Sequence, residues 1–233
     1  MKVDVLVFGA HPDDVELGCG GTVIKLAAAG KKVGIIDLTK GELGTRGTAE
    51  TRKKECEKAS EILGVAMREN MNFKDGFFEN SEANKLALIK KIRDHKPEIV
   101  ITNAPTDRHP DHGRASELVL DACFLSGLEK VDTRQEVWRP NAIYHYIQFM
   151  HLQPDFVVDI SEQMDKKLQA VKAYKTQFYD KNSKETETII SKKGFLESVK
   201  YRAQDLGRQA NCEFAEGFIA SQLLKVDSFF DIK

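Results

Sequence analysis

Two short runs concentrate the residues that could do chemistry: His11-Pro12-Asp13-Asp14 and His109-Pro110-Asp111-His112. Each joins imidazole to carboxylate within four positions. Imidazole nitrogen and carboxylate oxygen are donors that zinc accepts, and a catalytic zinc keeps one position open for water. In the first run His11 and Asp14 can face one point while Asp13 stays offset, giving two ligands and one free carboxylate. In the second, His109 and His112 bracket Pro110, so they are not an i,i+4 ligand pair on a helix. One of them can complete a set with His11 and Asp14 while the other does acid–base or orienting work. His112 is the better-fixed candidate, because it opens a helix. Asp111 can accept the N–H of a neighbouring imidazole and set its tautomer. Each run alone also fits a plainer role, an Asp helix cap or a solvated loop. Two such runs at two strand ends weaken that reading.

A third signal is Arg52. It recurs with Ala49, Cys56, Ala59 and Leu63 at three- and four-residue spacing, on one stripe of a helix. A guanidinium on an inward stripe needs an anionic or polar partner, either a structural carboxylate or a substrate group. The Gly-rich loop at 40–47 precedes this helix and could wrap a sugar.

These residues need elements to hold them. The apolar run 3–8 reads as a strand buried on both faces. Helix over 20–29, strand over 33–38, helix over 48–63, strand over 67–73, helix over 81–95 and strand over 98–102 follow. This alternation predicts an α/β fold, a Rossmann-like and mostly parallel sheet with helices on both faces. Ligands of such sheets bind at the carboxyl ends of the strands, where both His/Asp runs fall. A helix over 112–125, strands over 142–147 and 156–160, and a helix opened by an Asp159/Glu162 capping box come next. That helix carries Met164, Leu168, Val171 and Phe178 on one face. The polar stretch 180–193 reads as a linker or loop, and a last helix spans 196–208. One domain over 1–233 is the simplest organisation.

Composition narrows the function classes. The net charge is −1, and no basic face for nucleic acid stands out. No run approaches the ~18 apolar residues of a membrane span, and the N-terminus reads as a strand rather than a leader. A cytoplasmic setting is expected, with the four scattered cysteines as reduced thiols. Gly18-Cys19-Gly20-Gly21 does not match G-x-G-x-x-G, which argues against a dinucleotide loop. His95 and the pair Lys166-Lys167 read as solvated, and His145 as packed.

The runs AHPDDVELG and HPDH, with the DLTKGELGTRG loop and the YRAQDLGRQANCEFAEGF tail, resemble the LmbE-like, or PIG-L, family of zinc deacetylases. The likeness spans most of the chain, departing at Val15, where many members carry an acid. It implies one Zn2+ per chain, with Fe2+ as the alternative, held by His11, Asp14 and His112. It also implies Asp13 as general base, with His109, oriented by Asp111, as acid or protonated electrostatic stabiliser. Arg52 would contact substrate. The implied substrate is an N-acetylglucosaminyl compound, in particular N-acetylglucosaminyl L-malate of bacillithiol biosynthesis. The implied assembly is a homo-oligomer, a hexamer in its fullest form. A metal-dependent phosphoesterase and a non-catalytic sugar-binding module are the rival readings. The free Asp13 speaks against the second.

Overall fold

In the computed structural model, which describes residues 1–231, seven strands form one sheet in the order β3-β2-β1-β4-β5-β7-β6. The strands β1 (Val5–Gly9), β2 (Val33–Thr39), β3 (Met67–Phe73), β4 (Ile99–Asn103) and β5 (Ala142–Tyr146) run parallel. Every residue of β1 and β2 is buried, as an apolar run covered on both faces must be. Alternation divides them. Leu6, Phe8, Ile36 and Leu38 face one core with helices α3 (Glu82–His95) and α4 (Pro110–Ser126). Val5, Val7, Val33 and Ile35 face the other, with Val15 and Val23 of α1 (Asp14–Ala28). Helix α2 (Ala49–Leu63) is capped by Thr48 and closed by Gly64 at φ 74°.

The chain steps outward from β1 to β2 to β3, then returns to place β4 on the other flank of β1. The switch of direction therefore lies between β1 and β4. Loops leaving those two strands diverge there and open a crevice.

Several sequence expectations are corrected. Helix α1 starts at Asp14, six residues before the predicted start, and is interrupted at Cys19 (φ −140°). The Gly-rich run serves this kink and close packing. A Cβ on Gly18 would lie 2.2 Å from the Tyr146 ring. The Gly21 and Thr22 amides at the kink donate to Glu216 at 2.9 and 2.7 Å. Lys167, expected on a solvated face, is 2 % exposed and pairs with that same Glu216. Glu216 lies on β7 (Ala215–Ala220), a strand absent from the sequence reading, inserted antiparallel between β5 and β6 (Phe156–Asp159).

No Asp159/Glu162 capping box forms. Asp159 accepts from the amide and hydroxyl of Ser161, and α5 (Met164–Lys172) starts after a short 3-10 turn. Phe178 lies beyond α5 but joins Val171 in a small core. His95 is buried rather than solvated, with Nδ1 2.9 Å from the Met1 carbonyl oxygen. The last helix, α6, runs Phe195–Gln209. The four cysteines are free thiols. Among the described residues no helix is long and apolar enough to cross a membrane.

Candidate active site

The two His/Asp runs meet. The turn from β1 into α1 carries His11, Asp13 and, at the first helical position, Asp14; the loop after β4 ends in His109, and the first turn of α4 carries Asp111 and His112. The His11 ring centroid lies 4.6 Å from that of His109 and 5.7 Å from that of His112. One nitrogen from each of these three imidazoles lies within 4.8 Å of the others.

Asp14 is the most constrained group. Its Oδ2 accepts from the His11 amide at 2.9 Å and from Asn103 Nδ2 at 3.3 Å, and its Oδ1 accepts from Gln148 Nε2 at 2.8 Å. The carboxylate faces both candidate ligand imidazoles, 3.5 Å from His11 Nδ1 and 3.2 Å from His112 Nε2. Burial alone would raise the Asp14 pKa. The charges and hydrogen bonds of His112 and His11 outweigh it and hold the pKa well below the usual range.

Each of those imidazoles is anchored through its other nitrogen. His11 Nε2 sits 2.9 Å from Asp75 Oδ1 and 3.3 Å from Asp111 Oδ2, and His112 Nδ1 sits 2.7 Å from Asp107 Oδ2. A carboxylate behind a ligand imidazole sets its tautomer and raises its basicity. Burial lowers the pKa of both rings, but the surrounding carboxylates win. His11 is raised well above its ordinary value, and His112 to about 9. A carboxylate field that holds protons this firmly also favours a divalent cation, whose binding releases them. His11 Nδ1, Asp14 and His112 Nε2 form a nitrogen–oxygen–nitrogen donor set of the kind catalytic zinc sites use, so these residues fit the implied metal.

Asp13 stands apart. It occupies the residue before α1 with φ 110°, ψ −22°, and its side chain makes no capping bond, so the plain cap role does not apply. Such a backbone costs about 1–3 kcal/mol and persists only where its surroundings impose it. Its carboxylate lines a cavity of about 330 Å³ with His11, Asp14, His109 and His112. Burial, opposed by the charge of Arg52 and reinforced by that of Asp14, raises its pKa to about 7.

Arg52 is buried on the inward stripe as predicted. Its Nη2 donates to Gln177 Oε1, and among the described residues no carboxylate pairs with it. The Gly-rich loop packs on Arg52, and its Leu43, Gly44 and Thr45 line the cavity over Asp13 together with Arg52. A Cβ on Gly41 would lie 1.9 Å from Arg52 Nη1. Asp111 also differs from expectation. Its carboxylate accepts from the Gly76 amide and pairs with Arg114, while its backbone N–H, not its carboxylate, meets His109 Nδ1 at 3.3 Å. Burial, with repulsion from the protonated His11 and His112 rings, lowers the His109 pKa, and the Asp111 N–H at Nδ1 favours the tautomer with its proton on Nε2.

Sequence reading missed Asp75, Asp107, Asn103 and Gln148. Asp107 lay in view, five residues before His112, and Asn103 ends a predicted strand. Asp75 follows β3 with no partner residue nearby in sequence to mark it. Glu16 is buried against Arg68, which also bonds Asp37 at 2.8 and 2.9 Å. Val15 is fully buried in the core, so an apolar residue suits that position. His145 is packed as expected, 2.9 Å from the Asn103 carbonyl oxygen.

A family model described as PIG-L, GlcNAc-PI de-N-acetylase, matches residues 6–123, which carry both His/Asp runs and the strands that bring them together. The chain belongs to the PIG-L family. As a member it is a deacetylase, a hydrolase of N-acetyl amides. It is similar to the diacetylchitobiose deacetylase of Thermococcus kodakarensis, at 31% identity over 75% of this chain and 70% of the relative. It is also similar to the probable N-acetyl-alpha-D-glucosaminyl L-malate deacetylase 2 of Bacillus cereus, at 31% identity over 76% of this chain and 84% of the relative. Among solved structures, the conserved protein TT1542 of Thermus thermophilus superposes with a TM-score of 0.88 at 37% identity, covering 97% of this chain and 98% of that one. The PIG-L match stops before β5, so Gln148, Arg202 and the second half of the pocket wall lie outside it.

Proposed function

We propose that this PIG-L protein removes the acetyl group from an N-acetylglucosaminyl compound, with zinc, or ferrous iron in its place, held by His11, Asp14 and His112. N-acetylglucosaminyl L-malate in bacillithiol biosynthesis is the substrate we favour. The observation that carries the reading is the Asp13 carboxylate, without a capping bond and, among the described residues, without a side-chain hydrogen bond, held beside a carboxylate-backed donor set in a cavity large enough for one sugar. The Bacillus relative supports the malate conjugate, and the Thermococcus relative supports a chito-oligomer as the competing substrate.

Zinc, when bound, acidifies water to a pKa of about 7 and polarises the acetyl carbonyl. Asp13 accepts the proton of the attacking water, and its pKa near 7 suits a base at neutral pH. Arg52 keeps enough of Asp13 ionised to do so. Neutral His109 donates from Nε2 to the carbonyl oxygen as negative charge grows there. Asp13 then returns its proton to the leaving amine, giving acetate and free amino sugar.

The test is acetate release from N-acetylglucosaminyl malate, free N-acetylglucosamine and diacetylchitobiose, with and without a chelator. We expect the malate conjugate to turn over fastest and the chelator to abolish turnover. Faster release from diacetylchitobiose would overturn the substrate assignment. Undiminished release after metal removal would overturn the role of the donor set.

A further inference from the structure

Beside the cavity over Asp13 lies a second cleft of about 560 Å³. The two share Phe149, Ile189, Phe195 and Arg202, so a molecule seated over Asp13 can extend from one into the other. Helix α6 forms one wall, presenting Ser198, Tyr201, Arg202 and Asp205 at helical spacing, and the chain leaving β5 forms the other. Four large apolar side chains stand open on this concave surface: Phe149 at 38%, Met150 at 40%, Ile189 at 47% and Tyr201 at 65% exposure. Grouped exposed apolar residues rimmed by polar ones mark a ligand groove.

Arg202 is the unusual polar group here. A guanidinium carries five N–H donors. Among the described residues its one protein acceptor is the Leu17 carbonyl oxygen, 3.4 Å from Nη2. Arg52, whose acceptor is Gln177, lines the cavity over Asp13 and not this second cleft, and Arg114 pairs with Asp111. Asp205, one turn along α6 on the same wall, is paired with Arg208 at 3.0 Å and Gln209 at 3.1 Å. Burial pulls the Arg202 pKa below the ordinary guanidinium value, which Asp107 and Glu216 offset only from a distance. Arg202 is thus a cation on a ligand-facing wall whose donors are largely unspent. Arg108 stacks on Phe149, 4.8 Å from the ring centroid, and adds positive charge at the shared rim.

We infer that this second cleft holds the substrate's aglycone, that Arg202 binds an anionic group on it, carboxylate or phosphate, and that Phe149 and Tyr201 pack against its carbon skeleton. A neutral second sugar would leave the guanidinium uncompensated. The inference rests on the deacetylase reading and moves the anion-binding role from Arg52, which lines the cavity over Asp13 but not the second cleft, to Arg202.

The test uses a matched set of N-acetylglucosaminides with methyl, phenyl, 4-carboxyphenyl and 4-phosphophenyl aglycones. A charge-assisted bond predicts kcat/KM for at least one anionic phenyl glycoside about tenfold or more above the neutral one. The better of the two anionic compounds tells carboxylate from phosphate. In Arg202→Gln that ratio falls to within about twofold of unity. The exposed Tyr201 can be changed without threatening the fold, and Tyr201→Ala lowers the phenyl-over-methyl preference about fivefold. An anionic-to-neutral ratio near one in the wild type, or one that survives in Arg202→Gln, overturns the inference. If the wild type releases acetate from none of the four, the deacetylase reading fails separately. The cleft is then judged by calorimetric binding of 4-carboxyphenyl glucosaminide, where equal Kd for wild type and Arg202→Gln overturns it and tenfold weakening upholds it.

Discussion

Asp107→Asn separates metal retention from chemistry more cleanly than loss of a ligand would. Asp107 is buried, with its side chain 2% exposed, and makes three bonds. Its Oδ2 holds His112 Nδ1 at 2.7 Å, and its Oδ1 accepts from the Arg108 and Met150 amides at 2.8 and 2.9 Å. Asparagine keeps an oxygen for the two amides, so the loop should keep its course. What changes is the group behind His112: the Asn Nδ2 amide, a donor, stands where the Oδ2 acceptor was, so His112 loses its charge-assisted bond and can keep a contact there only with its proton on Nε2, the nitrogen meant for the metal. Losing a charge-assisted hydrogen bond costs about 1.5–3 kcal/mol. At 1.4 kcal/mol per decade this weakens metal binding roughly 10- to 100-fold. The effect agrees with the 10- to 100-fold cost typical of removing a group that orients a metal ligand. Competition against a chromophoric chelator measures the affinity, and acetate release at saturating metal measures kcat. The expected pattern is weakened metal with kcat restored to within a few-fold of wild type by excess metal. Unchanged affinity with lost activity would show that His112 is not a ligand and that Asp107 acts on the reaction directly.

Asp13→Asn is expected to retain metal while kcat falls about 10²–10⁴-fold, the usual share of a general base. Elemental analysis beside the acetate assay checks it, and near-wild-type turnover would remove Asp13 from the mechanism. Arg68→Met leaves Glu16 and Asp37, 0% and 1% exposed, without the cation between them. Breaking a buried pair costs about 3–5 kcal/mol, and at roughly 2–4 °C per kcal/mol the melting temperature drops by about 6–20 °C. A calorimetric melt within about 2 °C of wild type would mean that the trio contributes little to stability.

The architecture was legible because burial on both faces leaves a linear trace. Strand β1 is apolar throughout and β2 nearly so, broken only by Asp37 and Thr39, and the inward stripe of α2 recurs at a 3.6-residue period. The limits of the helix read over 48–63 are local in cause, a capping hydroxyl on Thr48 and a left-handed Gly64. β7 escaped because its residues AEGFIA include a buried Glu216 and lack an alternating pattern. That glutamate is tolerated only because Lys167 and the kinked α1 amides converge on it, from 49 and about 195 positions away.

The candidate site divides along the same line. His11, Asp13, Asp14, His109, Asp111 and His112 stand in two compact runs at strand ends, so residue type and spacing alone named them. Their partners did not declare themselves. Asp75 reaches His11 across 64 positions, and Gln148 reaches Asp14 across 134. Whether Asp111 meets His109 by carboxylate or by amide, and whether His109 is charged, depends on how three imidazoles and their carboxylates crowd together in space. Electrostatic energy falls with distance through space, not with separation along the chain. A linear reading can therefore nominate the chemistry, and the folded arrangement sets protonation, tautomer and which arginine is left free to hold a ligand.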